Sequence, residues 1–270
     1  MTAVIRVAFD PELGWGPLSV RWEAIALAVI VGAAVLLWVR MLSRGPDPVR
    51  LEDALFVLLG IVPGAVVVGR LVHGLAYADA YVADPLALMD LTRGSLSLLG
   101  AVVGGALSGA YVCRLLGLGV ERWADGAAIP LLVAIGAGKV ALLLGGGGLG
   151  GPSDLPWALA FDGAGPWIAA DPGTPAHPAS LYEGLLTLIG IPLIARFAQS
   201  PGRTGTGTVF LAAFAWWLGA RAVAGLSWRD ESILGLLGAE QLAALIALGL
   251  VLLLGAAGPV RWWWLRSSTS

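Results

Sequence analysis

Seven stretches of this sequence stay apolar over the length that a helix needs to cross about 30 Å of hydrocarbon, and this constrains the fold more than anything else in the chain. They lie near residues 20–40, 54–77, 95–116, 126–145, 179–198, 206–226 and 238–257, separated by charged or glycine-rich segments. A segment in lipid must satisfy its own backbone N–H and C=O groups, so the expected fold is all-α: a polytopic integral membrane protein with about seven transmembrane helices. Only 13% of the residues are charged, against about a quarter in soluble domains, and mean hydropathy is +0.85. One domain over residues 1–270 is expected. About twenty mixed residues precede the first apolar stretch, where a secretory signal would open with a basic region, so that stretch is expected to remain as a span.

The segment 146–178 is rich in Gly, Pro and Asp, contains no Lys or Arg, and cannot cross lipid with an irregular backbone. A small cap at the membrane surface is expected there. A second segment of this kind, 74–94, carries Asp79, Asp84 and Asp90. Alternate loops divide the arginines unequally: Arg40, Arg44, Arg50, Arg114, Arg122, Arg196, Arg203, Arg261 and Arg266 fall on one side, and Arg6, Arg21, Arg93 and Arg229 on the other. The positive-inside rule then predicts an outside N-terminus, an external cap and a cytoplasmic C-terminus. Trp22, Trp38, Trp228 and Trp262 to Trp264 fall near span ends and read as interfacial anchors. A net charge of -2 with scattered cations offers no nucleic-acid face. The single cysteine, Cys113, permits neither an intramolecular disulfide nor a cysteine metal cluster, and it reads as core filler. No metal site is expected.

Three cations, Arg70, Lys139 and Arg221, lie inside apolar spans, where each is costly unless paired, hydrated or snorkelling. Spans two, four and six run in the same direction, and the cations precede their outer ends by about seven, six and five residues, which is a depth of roughly 8–10 Å. Positive charge at one depth on three helices suits the phosphate of an anionic lipid reached from the outer leaflet. The alternative is a structural ion-pair network with Glu23, Glu183 and Glu240, each near an outer helix end. His73 shares the helical face of Arg70 and reads as an interfacial histidine. The glycine run beginning at Gly145 lacks the Lys-Ser/Thr pair of a nucleotide loop and reads as a flexible connection.

Several segments, in order, carry a resemblance: Gly16-Pro-Leu-Ser-Val-Arg-Trp22, Gly69-Arg70, Gly138-Lys139, Asp154-Leu-Pro-Trp157, His177-Pro-Ala-Ser-Leu-Tyr-Glu183 and Ala239-Glu-Gln-Leu242. Together they resemble the prolipoprotein diacylglyceryl transferases. The resemblance implies seven spans in a bacterial plasma (inner) membrane, an outside N-terminus, an external cap and no soluble cofactor. It also implies transfer of a diacylglyceryl group from phosphatidylglycerol to the cysteine thiol of a lipobox-containing preprolipoprotein. Such a reaction needs a base for the thiol and cations for the phosphate leaving group.

The polar residues of the family pattern are largely replaced. Where the family has Ser-Phe-His-Gly-Gly, this chain reads Ser97-Leu-Leu99-Gly-Ala101, so leucine stands in place of the histidine. The family's Gly-Arg-x-Gly-Asn-x-x-Asn-Gly-Glu falls on 138–147, with Lys139 for the arginine, Leu142 and Gly145 for the asparagines and Gly147 for the glutamate. Arg221 matches the family arginine of span six, but the following glutamate falls on Gly225, and the tyrosine of Arg-Trp-Tyr is Glu23. The groups left to serve as catalytic residues are His177, Tyr182 and Glu183, at the outer start of span five, with Arg70, Lys139 and Arg221 as the phosphate-binding set.

The first expectation is therefore a member of this family that binds an anionic phospholipid, with transferase activity reduced or lost. A non-catalytic lipid- or lipoprotein-binding paralogue is the second. A transporter is a third class, against which stands the lack of any visible inverted repeat.

Overall fold

The computed structural model describes residues 4–44, 48–82, 84–90, 96–163, 165–230, 232–235 and 237–256. Arg93, Arg261, Arg266 and Trp262 to Trp264 lie outside them. Long helices occupy the apolar stretches: α1 Trp22–Ser43, α2 Leu51–Ala76, α4 Leu98–Leu115, α5 Val120–Ala141, α6 Ala179–Ala198, α7 Thr208–Gly225 and α8 Ala239–Ala256. A single turn, α3 Ala78–Tyr81, follows α2. Six of these helices are long and apolar enough to cross a membrane, and α8 is apolar but shorter in its membrane-compatible part. This is the expected polytopic helical protein. Strands are minor: β1 Ile5–Ala8, β2 Glu12–Trp15, β3 Leu18–Arg21, β4 Leu159–Asp162, β5 Ser232–Leu234 and β6 Leu237–Gly238 pair as three two-stranded ribbons.

The described residues form two compact units, Met1–Val35 with Ala128–Ser270, and Leu36–Ala127. The second is built on α2 against α4. Small residues line both faces, because in lipid close backbone approach replaces the hydrophobic effect as the source of helix association. A Cβ on Gly100 would stand 2.7 Å from the carbonyl oxygen of Val68 and 3.0 Å from the Cα of Gly69. Ser108 Oγ lies in the same contact, donating to the carbonyl of Gly104 at 2.9 Å. Gly109 leaves room for the ring of Trp123, whose Cη2 would be 2.6 Å from a Cβ there. Trp38 meets Trp123 edge to face at 6.5 Å and is only 4% exposed. Position near a span end suggested an interfacial anchor, but the space beside Trp123 makes Trp38 a core residue instead.

In the first unit, α6 packs on α7 and α7 on α8. The β2–β3 hairpin turns at Gly16-Pro17, where Gly16 has φ +60°, a conformation that suits glycine at the first central position of a tight hairpin turn, and β3 runs directly into α1. The segment 146–178, the cap, packs around a few apolar side chains. Leu149, Leu159, Phe161 and Ala176 make a small core with Val7, Phe9 and Trp167 around it. Strand β1 joins this cap by pairing parallel with β4, Ile5 opposite Leu159 and Ala8 opposite Asp162.

The glycine run is not a flexible connection. Leu142–Gly145 continues α5 as a 3-10 turn, Gly145 to Gly147 are buried, and Gly146 and Gly148 have φ of +72° and +73°. These are left-handed positions inside a packed turn, which explains glycine there better than mobility does.

Candidate functional site

Lys139, at the end of α5, and Arg221, near the end of α7, converge on one carboxylate. Lys139 Nζ lies 2.8 Å from Glu183 Oε2 and Arg221 Nη1 lies 3.0 Å from Glu183 Oε1. Glu183 is on the first turns of α6 and is fully buried. Local sequence sets up the meeting: Gly184, the next residue, would place a Cβ 2.8 Å from the carbonyl oxygen of Gly136 and 3.3 Å from the Cβ of Lys139. Glycine thus lets α6 lie close on α5, so that the lysine reaches the carboxylate. Trp217 Nε1 donates to Glu183 Oε1 at 3.3 Å, and Lys139 Nζ sits 5.0 Å over the ring of Trp228. Arg221 also pairs through Nη2 with Glu240, in the first turn of α8.

Two cations and two carboxylates therefore form one chain across α5, α6, α7 and α8. Of the three acids considered as partners, Glu183 and Glu240 are in it, whereas the Glu23 carboxylate packs on Gly145. Beside it, Arg21 Nη2 donates to the carbonyl of Pro166 at 2.8 Å. Arg221 Nε is buried without an acceptor among the described residues, leaving the network one unspent donor.

Arg70 belongs to the other unit. Its Nε donates to the carbonyl of Leu88 at 2.9 Å, and its Nη2 to those of Ala87 at 2.9 Å and Asp90 at 2.7 Å. One guanidinium thereby fastens the end of the turn Pro85–Leu88 and the residues just after it to α2, which repays its burial. His73, one turn further, stacks with Tyr77 at 4.8 Å and Tyr81 at 6.1 Å. Leu99 lies buried in the first turn of α4, behind the cap that Ser97 Oγ provides to the N–H of Gly100.

A cavity of about 660 Å³ lies against α6 and α7. Leu185, Leu186, Ile189, Val223 and Leu226 make its apolar wall, and Trp157, His177 and Tyr182 supply its polar groups. Trp157 Nε1 donates to Tyr182 Oη at 2.7 Å, and His177 Nδ1 lies 3.4 Å from the same oxygen. The chain passes from the cap into α6 at His177-Pro178, so Tyr182 lines the cavity while its neighbour Glu183 holds Lys139 and Arg221. Trp157, Trp217 and Trp228 were not singled out as site residues in the sequence. Trp157 had a signal in the Asp-Leu-Pro-Trp segment and Trp228 read only as an interfacial anchor, whereas Trp217 is one among twelve tryptophans.

The family model for prolipoprotein diacylglyceryl transferase matches residues 12–257, nearly the whole chain. The chain belongs to the prolipoprotein diacylglyceryl transferase family. Curated relatives agree. The phosphatidylglycerol–prolipoprotein diacylglyceryl transferase of Gluconacetobacter diazotrophicus is 35% identical over 194 residues, covering 69% of this chain and 65% of that protein. The enzyme of the same name from Frankia alni is 32% identical over 72% of this chain and 51% of its own length. That of Methylococcus capsulatus is 30% identical over 76% and 77%. The matched part thus spans about two thirds of the first of these relatives and about half of the second.

Proposed function

We propose that this membrane protein binds an anionic phospholipid, phosphatidylglycerol, along α6 and α7, and that its transfer of diacylglyceryl to a prolipoprotein thiol is strongly impaired. The cavity beside His177 and Tyr182 carries the reading: its volume and apolar walls suit an acyl chain, and Tyr182 on its wall is followed in the chain by Glu183, the partner of both buried cations. The lipid phosphate is drawn toward Lys139 and Arg221, which Glu183 and Glu240 hold in place. Arg70, in the other unit, fastens the Ala87–Asp90 segment to α2 and is not one of the two direct cations.

In the family reaction the thiolate sulfur attacks the glyceryl carbon, the S–C bond forms, and the C–O bond to phosphate breaks. The electron pair leaves with glycerol phosphate, and the thiol proton must go to a base. Leu99 offers none. A second reading, in which His177 takes that proton, is favoured by its place on the cavity wall beside Tyr182. The tautomer required has Nδ1–H donating to Tyr182 Oη, leaving Nε2 with its lone pair.

Two measurements test the binding proposal. Protein purified in detergent should retain phosphatidylglycerol over a zwitterionic phospholipid, and Arg221→Ala should reduce the preference by roughly 1.5–3 kcal/mol, the contribution of a charge-assisted contact. Equal retention of both lipids by wild type would end the idea. The proposal also needs the cap on the outer face of a bacterial plasma membrane, with the N-terminus outside, as the arginine bias suggests. A reporter inserted at Gly163 should read external and one fused after Ser270 cytoplasmic; the opposite pair of signals would reject this orientation.

A further inference from the structure

Trp228 closes one side of Lys139. The Nζ atom lies over the indole, 5.0 Å from the ring centre, while Glu183 Oε2 meets it at 2.8 Å. Lysine carries a compact charge on a flexible four-carbon stem and lacks the planar fork by which arginine fixes its own direction, so a neighbour must orient it. An aromatic face does this without adding negative charge, and its attraction for a cation grows as water is excluded. A third carboxylate in this place would outnumber Lys139 and Arg221, which Glu183 and Glu240 already match, and would repel a phosphate.

The chain holds this indole from both sides. Helix α7 ends in a turn in which the N–H of Ser227 donates to the carbonyl of Ala224 at 3.0 Å and that of Trp228 to Gly225 at 3.2 Å. The cap grips the same turn: the N–H of Gly151 donates to the carbonyl of Ser227 at 2.9 Å, and Arg229 Nε donates to the carbonyl of Gly150. Glycine at 150 permits this approach, because a Cβ there would collide with the Ser227 oxygen. Leu226 and Ser227, the two residues before Trp228, line the cavity of about 660 Å³. The Lys139 side chain keeps 11% of its surface exposed, where that of Glu183 keeps none. An ammonium has three donors, so with Glu183 and the ring on two sides an N–H is left for an incoming oxygen.

We infer that Trp228 is a positioning residue for the lipid phosphate: its ring holds the Lys139 ammonium against Glu183 and directs the remaining N–H to a phosphate oxygen. This role rests on the phosphatidylglycerol binding proposed above. Leu226 and Ser227 border the acyl chain, and the next residue fixes the cation, so one short turn after α7 serves both ends of the lipid.

Lys139 is the only lysine in the sequence, so lysine labelled with 13C at the ε-carbon gives one side-chain signal from the full chain in micelles of a zwitterionic detergent. Without lipid, the ring current of Trp228 should displace the ε-protons upfield; Trp228→Leu should abolish the displacement and Trp228→Phe should keep part of it. Phosphatidylglycerol should move the wild-type signal saturably, with the half-saturating concentration about tenfold higher in Trp228→Leu and little changed in Trp228→Phe, the difference between losing and keeping a desolvated cation–π contact. Both variants are smaller than tryptophan, so a packing role alone would weaken binding in both alike and would overturn the inference. An undisplaced wild-type signal overturns the contact itself. A displaced signal with the same phosphatidylglycerol affinity in wild type and Trp228→Leu overturns the positioning role. A displaced signal that phosphatidylglycerol does not move overturns the lipid reading and this role with it, which tells the two failures apart. Saturation by free glycerol 3-phosphate would overturn the lipid source and assign Lys139 to a soluble phosphate ester.

Discussion

Replacing Glu183 by alanine is expected to destabilise the protein by about 3–5 kcal/mol, the usual consequence of removing one partner from a buried ion pair. The carboxylate is fully buried and meets Lys139, Arg221 and Trp217 at once. Without it two cations remain in a low-dielectric layer, with Glu240 as the only carboxylate still paired to either among the described residues. The cost is electrostatic, not a cavity effect. Glu183→Gln, which keeps the shape and loses the charge, should therefore be nearly as destabilising as alanine. Adding Lys139→Met to Glu183→Gln removes one uncompensated cation and should recover a large part of the loss, since a buried pair replaced by neutral groups is often close to neutral in stability. Unfolding titrations in mixed detergent micelles, with Lys139→Met alone measured beside them, would give the four values. Wild-type stability in Glu183→Gln would show that the four-residue chain contributes nothing, and additive effects in the double variant would show that the lysine and glutamate are not coupled.

The helices were legible because hydropathy in lipid is a strong local signal: α6 begins at Ala179 and ends at Ala198, the bounds read from the sequence. The cap was legible only as a segment that cannot cross lipid. Its core depends on β1 meeting β4 across some 150 residues of chain, a pairing with no local signature. The buried cations were visible for the same reason as the helices, because charge in an apolar run stands out. Their partners were not, since Glu23, Glu183 and Glu240 have equal standing in the sequence and only the close approach of Gly184 to Gly136 selects Glu183 for Lys139. Similarly, the loss of the family glutamate at Gly225 gave no hint that Gln241 fills the space, with its Cδ 2.9 Å from where a Cβ would stand. Family motifs report which residues changed, whereas packing reports what moved in to replace them.

The expected result with a lipobox peptide and phosphatidylglycerol is lipidation by the wild-type chain at a rate lower by 10²–10⁴-fold than that of a relative with the histidine intact, the usual cost of a lost general base. Leu99 is the reason: it sits buried in the first turn of α4, where no proton can be accepted. Orienting groups lost at Leu142, Gly145 and Gly147 should add to the deficit, because phosphate positioning contributes separately from proton removal. Lysine at 139 holds its charge but not a two-pronged grip on a phosphate, and its Nζ is already engaged by Glu183. Leu99→His should then raise the rate, though not to the full family level while those groups are missing. His177→Ala decides whether residual turnover uses the cavity histidine. If turnover disappears with His177→Ala while phosphatidylglycerol retention is unchanged, His177 is the base, and Tyr182→Phe should lower the rate as well by releasing the ring nitrogen that its oxygen orients. Turnover in wild type equal to that of an intact relative would overturn the impaired reading altogether, and insensitivity of that turnover to His177→Ala would exclude the relocated base.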